Sequence, residues 1–107
     1  MPKQIPFPAA SRGTGTYNSA VYAVNEDSSL ACYVTATSGA GSVIVRLQES
    51  DDGGTTWADS VTSSSIASGQ SAKISVTAPC TGTIRVNAVV ATVALSFRAT
   101  LIYSGSV

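Results

Sequence analysis

Four of the six acidic residues, Glu49, Asp51, Asp52 and Asp59, fall between positions 49 and 59. Carboxylates gathered this closely could supply several oxygen ligands to calcium, or serve as the acid and nucleophile of a glycosidase. The rest of the chain supports neither. There is no histidine, which removes the commonest general base; the serines have no basic partner, and one hairpin supplies no substrate cleft. The expectation is therefore that Asp52 caps a turn while Glu49, Asp51 and Asp59 are solvated. No catalytic, cofactor-binding or metal-binding residue is assigned, and the chain is read as a non-enzyme. Cys32 and Cys80 are the only cysteines, too few without histidine for a structural zinc site. They are read as buried thiols acting as small hydrophobes, with a disulfide between the two sheets as the alternative that only distances can decide. Tyr17, Tyr22, Tyr33, Trp57 and Tyr103 are the aromatic candidates for a sugar-binding surface, although a hairpin Trp more often belongs to the core.

The elements that must position these residues are short and extended. A chain of 107 residues makes one domain able to bury roughly two thirds of its unfolded surface. Hydrophobic residues make up 44% of it and charged residues only 11%, well under the usual quarter. Such a surface does little to oppose self-association and suits a subunit packed against neighbours. Lys3, Arg12, Arg46, Lys73, Arg85 and Arg98 are scattered, so no electrostatic footprint for nucleic acid is expected. No run of about 18 apolar residues suggests a membrane span, and the N-terminus lacks the apolar core of a secretion signal. The chain is expected to be soluble when made and, if it works outside a cell, to leave by another route such as release inside a virion.

Residues 1–15 contain Pro2, Pro6 and Pro8 followed by Arg12, Gly13 and Gly15, a composition that favours an extended, polyproline-like arm. Ile5, Pro6, Phe7 and Pro8 are its candidate partner-binding residues, since Ile5 and Phe7 have no evident local core. Residues 16–107 form the second unit, a β-sandwich domain. Positions 16–24 read as one strand. Leu30, Cys32, Val34 and Ala36 then share a face, as do Val43, Val45 and Leu47, with Ile44, Arg46 and Gln48 pointing outward. Positions 62–70 are a Ser-rich connection. Ala72, Ile74 and Val76 alternate up to Pro79, which cannot donate to a ladder. Ile84, Val86 and Ala88 follow, and finally Val93, Leu95, Phe97, Ala99, Leu101 and Tyr103. Helical periodicity is absent. About seven strands at such spacings specify an all-β, two-sheet antiparallel β-sandwich, immunoglobulin-like or jelly-roll-like, with an extended N-terminal arm.

From Ser50 the chain reads Ser-Asp-Asp-Gly-Gly-Thr-Thr-Trp, which fits Ser-x-Asp-x-Gly-x-Thr-Trp at Ser50, Asp52, Gly54, Thr56 and Trp57. It resembles an Asp-box. The resemblance implies that the Asp side chain accepts hydrogen bonds from turn N–H groups, that a glycine takes the left-handed conformation, and that the aromatic residue packs under the hairpin. Turn chemistry gives a similar reading, because Asp caps local backbone and Gly tolerates positive φ. The motif recurs in sialidases, other secreted hydrolases and unrelated β proteins, so its role here is read as structural.

Over nearly its whole length the chain also resembles small phage virion proteins. The resemblance rests on Gly-Thr-Tyr-Asn-Ser from Gly15, on Val-Arg-Leu-Gln-Glu-Ser from Val45 running into the hairpin, and on Ile-Arg-Val from Ile84. It implies a compact sandwich that decorates or cements a capsid on the outer surface of a phage head. The implied partners are the major capsid protein and further copies of the chain, as a dimer or trimer. A neck or tail component of the virion, or a carbohydrate-binding module with a glycan partner, are the alternatives. On this reading, loss of residues 1–13 leaves the sandwich folded and weakens attachment to the particle.

Overall fold

The computed structural model describes residues 3–104; Met1, Pro2 and positions 105–107, the outer ends of the expected arm and domain, lie outside them. Ten strands follow the chain: β1 (Lys3–Arg12), β2 (Gly15–Asn18), β3 (Tyr22–Ala23), β4 (Leu30–Gly39), β5 (Ser42–Ser50), β6 (Ala58–Thr62), β7 (Ile66–Ala67), β8 (Ser71–Val76), β9 (Thr83–Ala91) and β10 (Leu95–Tyr103). They form two sheets with every pairing antiparallel. One is four-stranded in the order β1-β10-β4-β8; the other runs β2-β9-β5-β6, with β3 also on β9 and β7 also on β5. The fold is the expected all-β, two-sheet antiparallel sandwich, with ten strands in place of about seven because the arm, the divided 16–24 segment and the Ser-rich connection each add a strand.

Alternation sets which side chains enter the space between the sheets, because successive residues of a strand face opposite ways. Leu30, Cys32, Val34 and Ala36 of β4 and Leu95, Phe97, Ala99, Leu101 and Tyr103 of β10 are buried from one side. Val43, Val45 and Leu47 of β5 and Ile84, Val86, Ala88 and Val90 of β9 meet them from the other. Val93 leaves this series. It sits in the β9–β10 turn, 46% exposed, beside Thr92 at φ 76°, and the alternation starts at Leu95.

The expected strand over 16–24 is split into β2 and β3, both on β9. Between them the Ser19 hydroxyl accepts the Val86 N–H at 2.8 Å, while the Ser19 N–H donates to the Val86 carbonyl, also at 2.8 Å. A side chain thus replaces one ladder carbonyl and lets residues 19–21 bow outward. The Ser-rich connection over 62–70 also contributes to the core, through Ile66 of β7, which is 2% exposed. Cys32 and Cys80 are separate buried thiols. Burial pushes the Cys32 thiol up to about 12.

Residues 3–12 are extended, and they lie along their own sandwich as edge strand β1. The expectation that Phe7 lacks a local core is corrected: it is 5% exposed, its ring centroid 5.8 Å from that of Phe97. The Arg12 guanidinium lies over both rings, 5.3 Å from the Phe7 centroid and 4.8 Å from the Phe97 centroid. It also donates to the Phe97 carbonyl at 3.1 Å and to the Pro8 carbonyl at 2.8 Å. The prolines fall where pairing is irregular. Register shifts lie between Gln4 and Phe7 and between Phe7 and Ala10, the intervals containing Pro6 and Pro8, which have no N–H to donate.

Removing residues 1–13 therefore removes a strand and a core side chain, and the expectation of an undisturbed sandwich gives way. Phe7→Ala is expected to lower unfolding free energy by about 3 kcal/mol, measured by denaturant titration. An unchanged midpoint would show that β1 is not held by its own sandwich.

Candidate functional site

The hairpin between β5 and β6 is built by hydrogen bonds among the residues the sequence singled out. Ser50, the buried last residue of β5, donates its hydroxyl to Asp52 Oδ1 at 2.7 Å and accepts the Gly54 N–H at 2.8 Å. Asp52 Oδ1 also accepts the N–H groups of Thr55 at 3.1 Å and Thr56 at 2.9 Å, while Oδ2 accepts the Thr56 hydroxyl at 2.5 Å. Together these bonds hold the Asp52 carboxyl well below its usual range, the Thr56 hydroxyl acting most strongly, then the Thr56 N–H and the Ser50 hydroxyl. Gly53 and Gly54 have φ of 77° and 99°, in the left-handed region that a side chain penalises. Ser50, Asp52, Gly54 and Thr56 thus form one closed turn.

Trp57 lies beside that turn, half-buried rather than in the core. The Arg85 guanidinium sits 4.4 Å from its ring centroid. From Arg85 a chain of polar contacts crosses the outer face of the six-stranded sheet. Arg85 Nε donates to Gln48 Oε1 at 2.7 Å, and Gln48 Nε2 donates to Asp59 Oδ1 at 2.8 Å. Arg46 pairs with Asp59 at 3.7 Å and donates to Asn87 Oδ1 at 3.4 Å; Asn87 Nδ2 donates to Asn18 Oδ1 at 2.8 Å. Sequence alternation put Arg46 and Gln48 outward but could not find this network. Its members come from β2, β5, β6 and β9, and only the strand register aligns them.

Two carboxylates expected to be solvated have structural partners instead. Glu49 Oε1 accepts the Thr81 N–H at 2.8 Å, and its other oxygen accepts the Ser60 hydroxyl, tying the loop after β8 to the hairpin. Asp59 belongs to the network above. Asp51 is exposed at the hairpin tip, as expected. An open cleft of about 300 Å³ lies against Trp57, lined also by Glu49, Asp51, Thr56, Ser60 and Thr81. With Glu49 and Asp52 both occupied as hydrogen-bond acceptors, this arrangement orders loops.

The other candidates are dispersed. Phe7 lies in the core, Ile5 is 56% exposed, Pro6 is half-buried and Pro8 exposed, so the four do not form one adhesive patch. Tyr17 donates to the Gly13 carbonyl at 2.7 Å, Tyr22 packs on the core and Tyr103 is within it. Tyr33 alone among the five aromatic candidates is exposed. It stands on the four-stranded sheet with Lys73 Nζ 5.5 Å from its ring centroid.

No protein-family model and no curated protein sequence matches this chain. Among solved structures, it is similar to a chain from the work titled "Bacillus endospore appendages form a novel family of disulfide-linked pili". The TM-score is 0.58 at 18% sequence identity, covering 98% of this chain and 89% of the other. At that identity the likeness is one of fold.

Two measurements test the hairpin. Gly54→Val is expected to lower stability by about 1–3 kcal/mol through a forced positive φ, read in a thermal or denaturant melt; a wild-type melt would refute the turn geometry. Asp52, whose carboxyl is depressed from 3.8, contributes stability that is present above that value and lost as pH falls through its folded value. Asp52→Asn should therefore flatten the acid limb of the stability curve, and an unaltered limb would assign the acid sensitivity elsewhere.

Proposed function

We propose that this chain is a non-enzymatic structural subunit that works in many copies within an assembly outside the cell. The observation that carries this reading is the sandwich surface itself. With 12 charged residues in 107, it has few ions to desolvate when a neighbour covers it. On the six-stranded sheet Arg46, Gln48, Asp59, Arg85, Asn87 and Asn18 hold one another in place, so a neighbour meets ordered side chains there. Such a subunit acts by additive burial: each contact is modest, and repetition supplies the strength.

In its specific form the proposal is capsid decoration. Copies, as dimers or trimers, bridge adjacent major capsid protein subunits on the outside of a phage head, as the resemblance to small virion proteins suggests. Because β1 belongs to its own sandwich, attachment in this form falls to sheet faces and loops. The fold likeness to a chain from endospore pili supports a second form, a filament subunit. A carbohydrate-binding module has weaker support, since Tyr33 is the one exposed ring among the aromatic candidates.

Quantitative mass spectrometry of density-purified particles and of sheared surface appendages from the source separates these forms. Decoration requires a simple ratio of this chain to the major capsid subunit, with hundreds of copies per particle. Six to a few dozen copies would indicate a neck or tail part, and enrichment as the main appendage component would indicate the filament. Recovery only as a free protein would refute the structural role.

A further inference from the structure

Charge is unevenly placed in this molecule although its net charge is zero: Arg46 and Arg85 stand near the β5–β6 hairpin with carboxylates, and the other four cations are on the four-stranded sheet. All six carboxylates lie at one end of the sandwich or one residue row from it. Glu49 and Asp59 are near the β5–β6 hairpin, Asp51 and Asp52 within it, and Glu26 and Asp27 in the turn before β4. These loops are physically joined: Cys80 N–H donates to the Glu26 carbonyl at 2.9 Å, and Thr81 N–H donates to Glu49. Asp51 and Asp27 are exposed and enter no ion pair; Arg46 with Asp59 is the one ion pair among the described residues.

The four-stranded sheet has the opposite character. β1, β4, β8 and β10 contain Lys3, Arg12, Lys73 and Arg98 and no carboxylate. On the outer face Tyr33 stands between Lys73 and Thr100, and Thr35 between Ser71 and Arg98. Lys73 and Arg98 are exposed. Lys73 borders a cleft of about 420 Å³ whose lining mixes Ala31, Tyr33, Val76 and Ile102 with Ser75 and Thr77.

We propose that the outer face of the four-stranded sheet docks the carboxylate-bearing end of a second copy of this chain. Lys73 and Arg98 of one copy meet Asp51 and Asp27 of the next, with Tyr33 and the adjoining cleft supplying apolar contact. The two surfaces are different parts of the molecule, so the contact is heterologous and each copy retains one free end and one free face. It propagates into a ring or an open filament. The inference rests on the multi-copy reading above and specifies which surfaces carry it.

The test reverses each surface separately in the full chain. K73E/R98E makes the face acidic, and D27K/D51K makes the end basic; all four side chains are exposed and outside the core and the Asp52 hydrogen-bond set. Association is measured by sedimentation velocity at low ionic strength and again in about 1 M salt, where the Debye length is roughly 3 Å. Wild type should form larger species that salt dissociates. Each variant alone should lose about tenfold or more in association, because like charges then oppose one another, whereas an equimolar mixture should regain it, since both mismatched surfaces find a complement. Variants that associate like wild type, a mixture that fails to recover, or a wild type that stays monomeric would each overturn the proposed contact. Copy number in purified particles or appendages judges the multi-copy reading independently, so the two can fail separately.

Discussion

Everything in this molecule depends on the two-residue period of its four central strands. β4, β10, β5 and β9 each bury alternate side chains against the opposite sheet, and each is hydrogen-bonded on both flanks. A slip of one residue in any of them would turn its apolar set to solvent. Register is therefore fixed by burial, and the outward residues inherit that precision. The polar chain from Arg85 to Asn18 exists because Val86 and Leu47 must face inward. Contacts of this kind join distant parts of the sequence: β10, the last strand, is paired with β1, the first. Folding must close that long loop before the Phe7 and Arg12 contacts repay it.

The outer strands are irregular where the central ones are not. β1 carries two prolines and two register shifts, the β2/β3 edge is broken by the bow at residues 19–21, and the β6/β7 edge is divided by a loop. β8 is short and presents Lys73. Each device discourages an added strand from pairing along the edge. A sandwich with irregular edges offers its faces and ends, rather than its strands, to any partner.

Alternation made most of this architecture legible from sequence. Val43, Val45 and Leu47, or Leu95 through Tyr103, needed no further information. The turn from Ser50 to Thr56 was equally plain, because Asp and Gly have few other reasons to occur at that spacing. What stayed hidden depended on partners remote in sequence. Phe7 sits among prolines that read as an arm, and only the proximity of Phe97 and Arg12 makes a strand of it. Ile66 is a single apolar residue in a serine run, and its burial follows from a two-residue pairing with β5. Val93 continues the period of β10 on paper, but the turn at Thr92 rotates it out. Glu49 and Asp59 looked solvated because their partners are set by the fold: Thr81 lies in the loop after β8 and Arg46 is aligned by the β5–β6 register. Trp57 lies against Gly54 of the hairpin, as the motif implies; that Arg85 from β9 covers its ring was not legible.

The placement of charge has a consequence for any polymer of this chain. Subunits with a net charge repel increasingly as copies accumulate, so growth is opposed by a field that strengthens with length. A neutral subunit escapes that penalty. Neutrality alone gives no direction to association and leaves a weakly charged surface prone to unspecific contact. In the proposed contact, separating the carboxylates from the cations of the four-stranded sheet answers both difficulties. Each junction gains attraction between unlike surfaces, junctions of like surfaces are penalised, and the sum over many copies remains zero. The turns at the far end agree with this arrangement, since positions 38–41, 63–65, 68–70 and 92–94 contain no charged residue. Small uncharged turns at one end and carboxylates at the other distinguish the two ends of every copy.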